Sequence, residues 1–248
     1  MNSKPWLKNY PADVPHEIDV SQYPSLIELL EESFRKHAKS PVTVCMEEWM
    51  TYGQLDDLSA TVGAWLQSQG LPPGARVALM MPNVPQFLVS MAAIIRAGYT
   101  CVNVNPLYTP RELAHQLRDS GAEAIIILEN FASTLEEVIG QTQVRHVVLA
   151  SMGDLLGFWY GRWITFAVRH LAKMVPAFRM PLSGPQGDIQ VMPFKEVLAH
   201  GSGKTLKRVA CTLDTTAFLQ YTGGTTGLSK GAVLTHRNII AAILQAEA

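Results

Sequence analysis

Charge of either sign is scarce in this sequence, and so is cysteine. Only 17% of the 248 residues are Asp, Glu, Lys or Arg, and they balance to a formal net charge of −1. Such a chain lacks the basic excess that a nucleic-acid partner would require. The three cysteines, Cys45, Cys101 and Cys211, lie far apart with no C-x-x-C spacing. They read as buried thiols in a reducing compartment, neither a disulfide frame nor a metal site. The seven histidines are scattered without metal-ligand spacing. No apolar run approaches the roughly 18 residues that a spanning helix needs, and Met1-Asn2-Ser3-Lys4-Pro5-Trp6 has no signal-peptide core. These absences predict a cytoplasmic protein, unless it lies on a membrane surface.

What is present is a hydrophobic fraction of 48%, enough for a large buried core. Residues 1–24 carry Trp6, Tyr10, Pro11, Pro15 and Pro24 in a polar setting and read as an extended leader, with 25–248 as the main body. Ser25-Leu26-Ile27-Glu28 is a capping box opening a helix to about Lys39. A hairpin is expected over 42–46 and 49–51, then a helix capped by Thr51 and running to Gln69. From Arg76 strand and helix alternate. Strands are expected at 77–81, 100–104, 124–128 and 145–150, and helices at about 85–97, from the cap at Thr109 to Gly121, and at 133–140. Three successive β-α-β crossovers predict an α/β fold with a mostly parallel, doubly wound sheet and flanking helices.

Residues 154–175 interrupt that order with a helical pattern. Leu156, Tyr160, Trp163, Ile164, Ala167, Leu171 and Met174 share one side, and Arg162, Thr165, Arg169 and Lys173 share the other. Phe158, Trp159 and Phe166 lie near the boundary. Two readings stay open: an ordinary amphipathic helix packed on the sheet, or an interfacial helix with its tryptophans toward lipid. Beyond it, 181–187 reads as a loop, 191–200 as a short helix and 201–204 as a linker.

The chemistry concentrates in Tyr221-Thr222-Gly223-Gly224-Thr225-Thr226-Gly227-Leu228-Ser229-Lys230-Gly231, where four glycines, three threonines and one lysine fall within eleven residues. Glycines let backbone N–H groups turn inward, threonine hydroxyls can bond phosphate or ligate Mg2+, and lysine supplies a mobile cation. Leu228 and Ser229 separate Gly227 from Lys230, so this is not a Walker A loop, and no G-x-G-x-x-G is present. A solvated linker would have the same composition, but this stretch is flanked by two β-type runs, 216–220 and 232–235.

Together with Ala232-Val233-Leu234-Thr235-His236-Arg237-Asn238, the loop resembles the AMP-binding signature of the adenylate-forming enzymes. Within them it is most similar to the bacterial long-chain fatty acid CoA ligases. Ser229 departs from the proline common in that position, which bears on loop rigidity. The resemblance extends to Met81-Pro82-Asn83 and Asn103-Val104-Asn105-Pro106-Leu107-Tyr108, and so to nearly the whole chain. It implies a protein that uses ATP, Mg2+ and CoA to activate a long-chain fatty acid, with the N-terminal part of the large adenylate-forming domain represented here. It also implies that Thr222, Gly223, Gly224, Thr225, Thr226 and Gly227 wrap the β- and γ-phosphates, that Lys230 reaches them as a cation, and that Thr222 helps hold Mg2+. Tyr221 would brace the loop or pack as a strand tyrosine. His236 would start the next helix, pack, or line the acyl site. Lys204, Lys207 and Arg208 read as a solvated basic cluster.

Adenylation needs positioned donors and cations more than a nucleophile of the protein's own, which suits this loop. The same loop would serve a ligase for an aryl or amino acid, and a non-catalytic membrane or protein interaction module is the alternative from another class. The leader also resembles that of the fatty acid ligases, which implies a part in subunit contact within a homodimer. The helical pattern over 238–248 has no stop signal, so the sequence is expected to be a fragment of a longer enzyme, inactive alone.

Overall fold

Alternate residues along the central strands belong to opposite layers, and this decides the architecture. The computed structural model describes residues 4–12, 14–222 and 229–247. After two 3-10 turns in the mostly exposed leader, at Pro5–Asn9 and Val20–Gln22, helix α1 spans Leu26–Lys36, hairpin strands β1 and β2 span Pro41–Cys45 and Glu48–Thr51, and α2 spans Tyr52–Gln67. The alternating part follows as β3 (Arg76–Met80), α3 (Pro85–Arg96), β4 (Thr100–Asn103), α4 (Pro110–Ser120), β5 (Ala124–Leu128), α5 (Ala132–Glu136) and β6 (His146–Ala150). Then come α6 (Phe158–Phe166), the small hairpin β7 (Ser183–Gly184) and β8 (Gly187–Asp188), β9 (Gln190–Pro193), α7 (Phe194–Gly201), β10 (Thr216–Thr222), β11 (Lys230–Thr235) and α8 (His236–Glu247).

Seven strands form one sheet in the order β11-β10-β4-β3-β5-β6-β9. All its pairings are parallel except β10 with β11. Val77, Leu79, Ile126 and Val148 point into one core with α1, α2, α3, α7 and α8. Ala78, Met80, Ile125, Ile127 and Val147 point into the other with α4 and α5. Helices therefore cover both faces, and the continuous apolar strands follow from that double burial.

The helix-start signals hold in their main lines. Thr109 and Glu112 close a reciprocal capping box on α4, which ends at Gly121 with φ 61, and Thr51 with Gln54 does the same for α2. Ser25 caps α1 in a variant form, its hydroxyl accepting from Ile27 N–H while Glu28 bonds that hydroxyl.

Four expectations are corrected. Residues 190–193 form a strand, with Val191 and Met192 paired to Val147 and Val148, and the helix expected from 191 starts only at Phe194. Pro193 explains this, since the residue before a proline is forced out of the helical region. The expected loop over 181–187 contains β7 and the first residue of β8. The helix expected over 133–140 is split into α5 and a 3-10 turn at Ile139–Gln141. The helix expected from Asp154 begins four residues later, because Asp154 instead accepts the Ser151 N–H at 2.7 Å to close a turn, and after Leu171 the helical run stops.

Candidate functional site

The two ends of the glycine-rich loop are held side by side. In the antiparallel pair β10–β11, Thr222 lies opposite Lys230 and Tyr221 opposite Gly231. Directly paired residues project from the same face of a sheet, so the Thr222 hydroxyl and the Lys230 ammonium leave that face together, both exposed. Gly223, Gly224, Thr225, Thr226 and Gly227 lie outside the described residues. Strand β10 runs parallel to β4, which puts the loop at the carboxyl edge of the sheet, where open α/β folds bind ligands.

Helix α4 fastens both ends. The Tyr221 hydroxyl donates to the Asp119 carboxylate at 2.5 Å, and burial, then Asp119, pushes that hydroxyl above the usual phenol range, so it stays a donor. The ring lies across Gly231, where a Cβ would come within 3.0 Å of it. At the other end, the His115 ring Nε2 stands 3.0 Å from the carbonyl oxygen of Ser229, next to Lys230. One turn of the same helix also holds the sheet: Gln116 donates to the Asn103 carbonyl at 2.7 Å, and Asn103 donates to Gln220 at 2.9 Å. Tyr221 thus ties β10 to α4 and packs on β11. His115, Asp119, Asn103 and Gln220 were missed in the sequence, where the only hint was the family-like run through Asn103 to Tyr108.

His236 is fully packed. Its Nδ1 accepts the Leu26 N–H at 2.9 Å, and burial lowers its pKa, as the acceptor role requires. It joins the starts of α8 and α1, which is the packing role. The neighbouring Thr235 and Asn238 form the cap of α8, with Asn238 accepting the Thr235 N–H at 2.9 Å and donating its own N–H back at 3.4 Å. In the basic cluster, Arg208 is committed to Glu28 at 2.9 Å and the Lys207 N–H to Gln67 at 2.9 Å.

The second candidate region is α6, and its orientation is the reverse of an ordinary packed amphipathic helix. Its docking side is Gly161, Thr165 and Arg169. The Gly161 backbone sits against Gly153, so close that a Cβ on either would fall 1.9–2.0 Å from the other's carbonyl oxygen. Arg169, in a π-type turn (Ala167–Leu171) that continues α6, grips the buried Glu129 carboxylate through three contacts of 2.5–3.1 Å. The aromatic side faces outward, with Phe158 67%, Trp159 79% and Trp163 56% exposed. Each such side chain left in water forgoes about 1.5–3 kcal/mol of burial. No helix among the described residues is long and apolar enough to cross a membrane.

A model of the AMP-binding enzyme family matches residues 30–248. Over 246 residues the chain is 48% identical to the long-chain-fatty-acid–CoA ligases of Yersinia pestis and Salmonella typhimurium, covering 99% of this chain and 42% of either relative. It thus spans about 42% of the length of these curated relatives. Among solved structures, a long-chain-fatty-acid-CoA ligase from Archaeoglobus fulgidus shares the fold at a TM-score of 0.68 and 22% identity, over 96% of this chain and 41% of that one. The signature that opens on Tyr221 and ends at Gly231 therefore sits in the architecture its resemblance implied, and the chain belongs to the AMP-binding enzyme family.

Proposed function

We propose that the full-length protein uses ATP to convert a long-chain fatty acid to its acyl adenylate, with release of pyrophosphate, and then passes the acyl group to the thiol of CoA. The observation that carries this reading is the direct pairing of Thr222 with Lys230 at the carboxyl edge of the sheet, in a chain 48% identical to long-chain-fatty-acid–CoA ligases. A carboxylate oxygen attacks the α-phosphate in line, and charge grows on the departing pyrophosphate. The fatty acid is itself an anion, so the approach must be made against repulsion. Lys230, with Thr222, Gly223, Gly224, Thr225, Thr226 and Gly227 around the β- and γ-phosphates, would neutralise that charge where it develops. Tyr221, tied to Asp119, fixes the strand from which the loop leaves.

Thr222 is the residue here suited to Mg2+, as one hard oxygen donor. Among the described residues no group of three or more His, Cys, Asp and Glu side chains gathers. Thr222 would hold the metal through its hydroxyl, and the metal would supply charge neutralisation of the leaving group. The outward aromatic side of α6 supports a lipid-like acid and a peripheral contact of residues 154–175 with a membrane.

Replacing Lys230 with Ala in the full-length protein tests the assignment. ATP–pyrophosphate exchange supported by palmitate should fall about 10²- to 10³-fold, the usual effect of removing one charge-stabilising group. An unchanged exchange rate would overturn the role of Lys230. The acid class is read separately, by pyrophosphate release with palmitate, benzoate and amino acids, and palmitate should lead.

A further inference from the structure

Between α6 and the edge strand β9 lies an open cavity of about 390 Å3 that the adenylation reading does not use. Three cations, Arg162, Arg169 and Lys195, face it together with Asp154, Ser151, Thr165, His170 and Phe166. The charges are not equally available. Arg169 is spent on Glu129, and Lys195 is ion-paired with the buried Asp154 at 3.7 Å without being hydrogen-bonded to it, so its N–H donors stay open. Arg162 lies over the Phe158 ring at 5.7 Å and has no carboxylate within ion-pair distance among the described residues. An incoming anion would therefore meet a guanidinium fork and an ammonium with donors to give.

That pair suits the oxygens of a phosphate ester, which accept a planar fork and a point cation together. The surroundings narrow the source. Phe166 is shared between the cavity and the outward aromatic side, where Phe158, Trp159 and Trp163 stand exposed. Aromatic side chains beside a cationic recess match the boundary between headgroup and acyl chain. We propose that the cavity between α6 and β9 holds the phosphate of an anionic phospholipid headgroup while the aromatic side of α6 enters the adjoining lipid. This rests on the membrane contact proposed above and adds a built recognition site to it.

The test is co-sedimentation of the full-length protein with vesicles of phosphatidylcholine alone or mixed with phosphatidylglycerol. Wild type should prefer the mixed vesicles. The Arg162→Gln/Lys195→Gln variant should lose that preference, binding the mixed vesicles about 30-fold more weakly at about fivefold per cation, while its binding to phosphatidylcholine stays unchanged. Arg162→Lys/Lys195→Arg should retain the preference, and Arg35→Gln/Lys36→Gln, which removes the same charge from exposed positions on α1, should leave it intact. The Trp159→Ser/Trp163→Ser variant should weaken binding to both vesicle types. Equal affinity of wild type for the two vesicles, or an undisturbed pocket variant, overturns the headgroup site but leaves the membrane contact standing. Failure of wild type to bind either vesicle removes both. Calorimetric binding of inorganic phosphate that depends on Arg162 and Lys195, without any preference for phosphatidylglycerol, would assign the cavity to a soluble phosphate ester and overturn the lipid.

Discussion

At the β11 edge of the sheet, α4 reaches the loop-bearing strands through side chains, Asp119 to Tyr221 and His115 to Ser229. At the β9 edge, α6 meets the body through bare backbone at Gly153 and Gly161 and through the Arg169–Glu129 pair. The first joint is a set of directional hydrogen bonds, each replaceable by another group of similar shape. The second is a steric fit that tolerates no added atom, beside one ion pair whose carboxylate is buried. A helix docked in that way can leave its apolar side outward, because small residues and a paired charge supply the contact that an apolar stripe ordinarily supplies.

The sharpest way to break this comparison is to add one methyl group. Gly161→Ala places a Cβ 2.0 Å from the Gly153 carbonyl oxygen, and neither partner is a flexible side-chain end that can swing away. We expect a loss of about 1–3 kcal/mol, as for other overpacked sites, concentrated in faster hydrogen exchange over residues 158–171. Pyrophosphate exchange at the opposite edge should stay near wild type. Equal protection of α6 in the variant would show that the backbone contact does not hold the helix.

At the loop edge the matched experiment removes a hydrogen-bond partner and then restores it. Asp119→Ala leaves the buried Tyr221 hydroxyl without its acceptor, at about 1–3 kcal/mol, and frees the strand that enters the loop. The Michaelis constant for ATP should rise more than the turnover falls, and Asp119→Asn should recover most of the loss because its amide oxygen still accepts. His115→Ala and His115→Gln form the same pair at the other end of the loop. A uniform drop in folded protein, with unchanged constants in what remains folded, would make these residues structural only.

The contrast also shows which parts of the molecule could be read before it was folded. Thr109 with Glu112, the apolar strands β3 to β6 and the β-type runs on either side of the glycine- and threonine-rich loop are local patterns, and each led to the right element. A bracing role for Tyr221 was legible but its partners on α4 were not, because His115 and Asp119 act on residues 114 and 102 positions away. Strand β9 was hidden by its junction with α7, where Pro193 separates two apolar runs that read as one helix. The periodicity of residues 154–175 separated Trp163 and Leu171 from Thr165 and Arg169 as the structure does, but it misplaced Leu156, which lies before the helix and is buried. It could not say which side faces the sheet, since that was decided by Gly153 and Glu129 outside the helical residues themselves.

The smallest expected effect sharpens the comparison from the side of pH. His236 binds the loop-bearing half of the molecule to α1 by accepting the Leu26 N–H, which only its unprotonated Nδ1 can do, and burial holds its pKa below the ordinary value. The unfolded imidazole takes its proton near about pH 6.5 and the folded one only at lower pH. The stabilisation is therefore complete above the unfolded value and drains away as the pH falls towards the folded one. His146 on β6 is also held down by burial and adds a loss of the same sign beside β9. Urea unfolding between about pH 7.5 and about pH 5.5 should show stability falling with acid, less steeply in His236→Asn, whose side-chain oxygen can accept the Leu26 N–H without titrating. A slope identical to wild type would assign the acid sensitivity to the β6 side alone, and the α1–α8 joint would then not sense protons.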